Sequence, residues 1–145
     1  MDKKKARRES RILAVQAFFF YLERDRMVSI EDCFRHVLVD VDKKREDTFA
    51  QEMLFMAQEH FAKVKLVIKA FAPDVLYDKI APINRAILHM GLSEIKYIGT
   101  PPVVVINEYI EVAKMFGEEK SGPFINAVID SFRKSLGLGN ERDTR

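Results

Sequence analysis

Apolar residues recur at spacings of three and four along most of this chain, with polar residues between them. Ile12, Val15, Phe19 and Leu22, flanked by Leu13, Ala17 and Phe20, predict a first helix ending near Asp25. Ser29 is a favourable N-cap with Asp32 in the following turn, and Ile30, Phe34, Val37, Leu38 and Val41 mark the buried face of a second helix. A charged linker, Asp40 to Asp47, follows it. Thr48 with Gln51 three residues on fits a capping box. Phe49, Met53, Met56, Ala57, His60 or Phe61, Val64, Ile68 and Phe71 then form one long stripe that Pro73 stops.

Pro82 sits where a helix can start, and Ile83, Ile87, Leu88, Gly91 and Ile95 mark its packed face, with Gly91 allowing a close neighbour. The β-branched run Val103 to Ile106 would suit a buried strand. Ile106, Ile110, Ala113 and Phe116 decide for a helix instead, because they recur at three and four while Asn107, Glu111 and Lys114 share the other side. Gly117 ends it. Ser121 is expected to cap a last helix carrying Ile125, Val128, Ile129, Phe132 and Leu136, before Gly137 and Gly139 lead into a polar tail. No segment alternates convincingly and no repeat is found. The expected fold is all-α, six or seven helices in a single unit over 1–145, with an N-terminal helical subdomain (1–72) packed on a C-terminal one (73–145).

Composition narrows the class. The 145 residues are 48% hydrophobic and 32% charged, enough for a core and a wetted surface, and no apolar run approaches the ~20 residues of a membrane span. The N-terminus lacks the features of a secretory signal, so a cytoplasmic protein is expected. Cys33 is the one cysteine, which excludes an internal disulfide, and no Cys/His set has zinc spacing. Cys33 with His36, His60 after Glu59, and the Asp40-Val41-Asp42 stretch each lack the further groups that a nucleophile, a metalloprotease helix or a calcium loop requires. No catalytic residue, metal site or cofactor is expected.

Charge changes the picture. The formal net charge is only +2, yet residues 1–11 hold six cations against two carboxylates, a surplus of four that leaves the remainder at −2. On a helix, Lys4, Arg8, Arg11 and Phe19 fall nearly on one line, with Arg7 and Gln16 on either flank. Cations for phosphate, an amide for a base edge and a ring for stacking together suit single-stranded RNA. Such a cluster also opposes the helix macrodipole, so local stability does not account for it. Against this stand a merely solvated arm and a core position for Phe19. Asn107, Glu108, Glu111, Ser121 and Asn126 form a second set of polar groups inside apolar helices.

Several stretches, in order, resemble the NusB family of transcription antitermination factors. They are Arg7-Arg8 with Arg11 and Ala14-Val15-Gln16-Ala17-Phe18-Phe19; Asn84-Arg85-Ala86-Ile87-Leu88 and Ser93-Glu94-Ile95; and Thr100 to Glu108, Ala113-Lys114-Met115-Phe116-Gly117, and Ser121 with Phe124 to Asp130. The resemblance implies two packed three-helix bundles without catalytic activity, binding boxA-type single-stranded leader RNA together with NusE, a small-subunit ribosomal protein, within the RNA polymerase antitermination complex. It implies RNA contacts from Arg7, Arg8, Arg11, Gln16 and Phe19, and from Ser121, Phe124 and Asn126. It implies NusE contacts from the helix holding Asn84, Arg85, Leu88 and Glu94. Glu9 stands where the family commonly has a third arginine, which weakens phosphate affinity, and Phe19 replaces a usual tyrosine, so it can stack but not hydrogen-bond. The alternatives are the accessory domain of an RNA cytosine methyltransferase, for which 145 residues leave no room for the enzyme, and a protein-interaction module or homodimer with a solvated arm.

Overall fold

The structure is a computed structural model that describes residues 2–41 and 47–137. Most of the expected charged linker, 42–46, and the tail beyond Gly137 lie outside them. Among the described residues there are seven α-helices and no strand: α1 (Lys3–Glu23), α2 (Ile30–Leu38), α3 (Thr48–Glu59), α4 (Phe61–Phe71), α5 (Pro82–Ser93), α6 (Pro102–Met115) and α7 (Gly122–Ser135). Short 3₁₀ turns cover Tyr77–Lys79 and Glu119–Ser121, and a π-helical turn, Glu94–Ile98, extends α5.

The packing has a simple logic. Helices α1, α2 and α3 touch one another in all three pairings, as do α5, α6 and α7, while α4 packs on α3, α5 and α7. The two groups meet mainly where α1 crosses α5, and their buried apolar side chains form one continuous core. Helix α5 is central: every residue from Ala86 to Ile95 is buried. A helix apolar on nearly all sides has no solvent face to offer, and Ala86, Ile87, Leu88, Met90 and Leu92 make α5 such a helix. Gly91 permits the closest approach, since a Cβ there would lie 3.4 Å from Val105 Cγ1 and 3.5 Å from Tyr109 and Ile129.

Three local expectations are corrected. The long third helix is two, broken at His60, whose N–H reaches back to the carbonyls of Met56 and Gln58 and whose ring stacks on Tyr97 at 3.7 Å. The break turns Phe61 inward onto Phe18 and His89. Asp47 rather than Thr48 caps α3, accepting from the Ala50 N–H at 3.0 Å. Ser121 precedes α7 without capping it; its hydroxyl is occupied by Asn84. The other reading of Val103 to Ile106 is settled as helix, with Pro102 at the first turn of α6.

Candidate nucleic-acid interface

The basic arm is ordered as the first three turns of α1. Asp2 caps it, accepting from the Lys5 N–H at 2.9 Å, which places one negative charge at an end otherwise crowded with cations. The cations then sort by what their side chains meet. Lys3, Lys4 and Lys5 are exposed. Arg7 lies over Phe49 of α3, its guanidinium carbon 3.7 Å from the ring centroid.

Arg8 and Arg11 turn toward carboxylates that lie 100 and 83 residues further along the chain. Arg8 donates from Nε and Nη2 to Glu108 at 3.1 and 2.9 Å, with 39% of its side chain still exposed. That hydrogen bond raises the Arg8 pKa and, on the other side, holds the Glu108 carboxyl below its usual range. Arg11 is the buried member. It donates to Glu94 from Nε at 2.9 Å and from Nη2 at 2.6 Å, and Tyr109 donates to the same carboxylate at 2.9 Å. Burial works against the Arg11 charge, but the Glu94 hydrogen bonds and charge outweigh it, so its pKa is raised. Burial, with Glu94 beside it, keeps the Tyr109 hydroxyl protonated as a donor.

Two open clefts lie along α1. The first, about 520 Å³, is lined by Lys3, Lys4, Arg7 and Arg11 from α1 and by Val104, Asn107 and Glu108 from α6. The second, about 420 Å³, lies further along α1 and is lined by Gln16, Phe19 and Phe20, by His36 and Val37 of α2, and by Ile83 and Phe116. Phe19 is therefore half-buried with an accessible ring, while its neighbour Phe18 is wholly buried. Next to Ile83, Asn84 donates from Nδ2 to the Ser121 hydroxyl at 2.8 Å, which ties the start of α7 to this second cleft. Phe124 is half-buried and Asn126 exposed on α7.

Of the expected site residues, the structure thus gathers Lys4 and Arg7 at one cleft, Gln16 and Phe19 at another, and Ser121 at the edge of the second. Arg11 also lines the first cleft, but only 6% of its side chain is exposed and it is committed to Glu94. The partner set expected on α5 lies mostly inside the fold. Leu88 and Glu94 are fully buried and present nothing to a partner, Asn84 is buried against Ser121, and Arg85 alone reaches the surface in part. Sequence reasoning missed Phe49, Asn107, Ile83 and Phe116 as site neighbours. Phe49 was indistinguishable from a core position, whereas Asn107 carried a signal in its place on the polar side of α6. Among the described residues no group of three His, Cys, Asp or Glu side chains is placed to hold a metal, and no helix is long and apolar enough to cross a membrane.

Comparison with known proteins agrees with this architecture. Residues 8–134 match the model of the NusB family. The transcription antitermination protein NusB of Methylacidiphilum infernorum (isolate V4) is 32% identical over 139 residues, 91% of this chain and 93% of the relative. That of Bacillus subtilis (strain 168) is 30% identical over 131 residues, 90% of this chain and 96% of the relative. Among solved structures, antitermination factors NusB and NusE in complex with dsRNA give a TM-score of 0.80 at 20% identity, covering 90% of this chain and 98% of the matched one. T. maritima NusB gives 0.77 at 25% identity, covering 88% and 90%. With a family model that matches residues 8–134, from Arg8 through the core to α7, and relatives matched almost end to end, the chain belongs to the NusB family.

Proposed function

We propose that this protein is an RNA-binding antitermination factor acting in the cytoplasm. It engages boxA-type single-stranded leader RNA together with NusE and joins the elongating RNA polymerase to sustain transcription of ribosomal RNA operons. The observation that carries this reading is the division of labour along α1. Carboxylates Glu94 and Glu108 hold the helix by Arg11 and Arg8, while Lys3, Lys4 and Arg7 are left around an open cleft beside the Asn107 amide. Free cations set on a rigid helix contact phosphates without first being ordered, and the Gln16 and Phe19 cleft adds an amide and a stacking ring further along. The relatives named above are transcription antitermination proteins, and a fold neighbour is NusB with NusE and dsRNA, which supports RNA and NusE as the classes of partner.

The test is binding of a labelled boxA-like RNA, single-stranded and duplex, with and without NusE, across a salt series. Lys4→Glu with Arg7→Glu is expected to weaken single-strand binding and to flatten the salt slope by about 0.7 for each phosphate no longer neutralised. Unchanged affinity, or a preference for duplex, would sink the reading.

A further inference from the structure

A second cationic group, outside both clefts, surrounds a buried aromatic base at the far end of α1. Arg26 from the α1–α2 connection lies over Phe61 at 4.0 Å, Lys65 of α4 over Tyr77 at 4.7 Å, and Arg85 of α5 near the same ring at 5.5 Å. His89 completes the base, stacked on Phe61 at 4.7 Å and hydrogen-bonded through Nε2 to the Tyr77 hydroxyl at 2.7 Å. Three cations from three elements therefore meet over one set of rings. Asp78, itself 87% exposed, is the carboxylate near them, 3.8 Å from Arg85 Nη1.

Two features indicate that this group is held ready for an anion. Asp25 and Arg26 both have left-handed backbone, at φ 53° and 60°, an uncommon conformation for residues with side chains and one that concentrates at functional sites. In addition, the Arg85 Nε donor is buried with no acceptor among the described residues. Burial and the three surrounding cations keep His89 neutral, so the base adds no charge of its own.

Position favours a phosphate chain as the anion. Helix α1 spans about 30 Å between the arm and this group. The Phe19 cleft lies between them along α1. We infer that Arg26, Lys65 and Arg85 form a second phosphate-binding site, which holds the continuation of the same RNA strand that the arm engages. The inference rests on the RNA-binding reading and extends its footprint along α1.

Two RNAs that share the boxA-like element, one of about 6 nucleotides and one of about 14, bracket common single-strand site sizes and separate the two ideas. Arg26→Asn with Lys65→Gln removes two cations, and asparagine tolerates the left-handed backbone, so the thermal midpoint is expected to hold. Lys65→Gln alone serves as the milder variant. The double variant is expected to bind the short RNA as the parent does, to bind the long one about tenfold more weakly, and to lose about 1.4 from its salt slope. Equal loss on both RNAs, or none on either, overturns the second site while leaving the arm's role standing. Weakened NusE binding with unchanged RNA binding also overturns it and assigns the group to a protein partner. If Lys4→Glu with Arg7→Glu leaves both RNAs unaffected, the RNA-binding reading itself fails.

Discussion

Arg11 and Glu94 form a salt bridge of 2.6 Å in which 6% and 0% of the respective side chains are exposed, so an arginine of the basic arm is a structural member of the core. It joins α1 to the end of α5 across the meeting of the two helix groups, and Tyr109 of α6 closes the same carboxylate. One network thus pins the arm to both neighbours and sets the direction in which Lys4 and Arg7 project.

Removing one partner leaves a buried charge uncompensated. Arg11→Ala or Glu94→Ala is expected to destabilise the fold by about 3–5 kcal/mol, read as the urea midpoint. Arg11→Met combined with Glu94→Leu and Tyr109→Phe should recover most of that loss and keep RNA affinity close to the parent. A stable triple variant that no longer binds RNA would show that Arg11 contacts the nucleic acid after all.

If Arg8 contacts RNA, Glu108 competes with the RNA for it. Because Arg8 remains 39% exposed while bonded to Glu108, Glu108→Gln releases a cation to the arm's surface at small structural cost. Affinity for boxA-like RNA is expected to rise by about fivefold, near 1 kcal/mol, with a steeper salt slope. Reduced affinity would mean that the carboxylate's main service is to aim Arg8. The folded pKa of Glu108 is lowered, so the pair's contribution to stability is present above the ordinary glutamate pKa and is lost as pH falls below it, through about 4 and lower.

The helices themselves were legible because their apolar stripes run at a clean period, and Pro82 and Ser29 mark starts that the backbone keeps. What stayed hidden depended on partners distant in sequence. The break at His60 has neither proline nor glycine to announce it; the ring stack on Tyr97 accompanies it, 37 residues away. The fates of Arg7, Arg8 and Arg11 differ only because Phe49, Glu108 and Glu94 happen to lie opposite each one. A helical wheel gives the faces of α1 and not their neighbours. Helix α5 was the opposite case, since its nearly continuous apolar run signalled burial while the motif resemblance pointed to a partner surface.

Phe19 and Phe18 stand side by side and should separate cleanly. Phe18 is fully buried against Tyr21, Phe61 and His89, so Phe18→Ala is expected to cost about 3–5 kcal/mol of stability. Phe19 lines an open cleft. Phe19→Leu is expected to change stability by less than about 1.5 kcal/mol while weakening RNA binding by about 1–3 kcal/mol, the worth of one stacked base. Equal RNA affinity for parent and Phe19→Leu would remove the ring from the binding surface.

His89 gives the protein a pH dependence of a recognisable form. Burial, helped by Lys65, Arg85 and Arg26, lowers its pKa from 6.5 to about 3. An unfolded chain then binds a proton that the folded one refuses, so stability is full above about pH 6.5 and declines as pH falls toward 3. The part of the decline owed to this residue is on the order of 4 kcal/mol, and it should appear in denaturation midpoints measured between those limits. His89→Phe keeps a ring against Phe61 and Phe18 and has no proton to gain, so its midpoint should be much flatter over the same range, at the expense of the Tyr77 hydrogen bond. The slope that remains in that variant comes from other groups, Glu108 among those at the acid end. A parent and variant with the same slope between pH 6.5 and 4 would show that His89 charges without unfolding its surroundings.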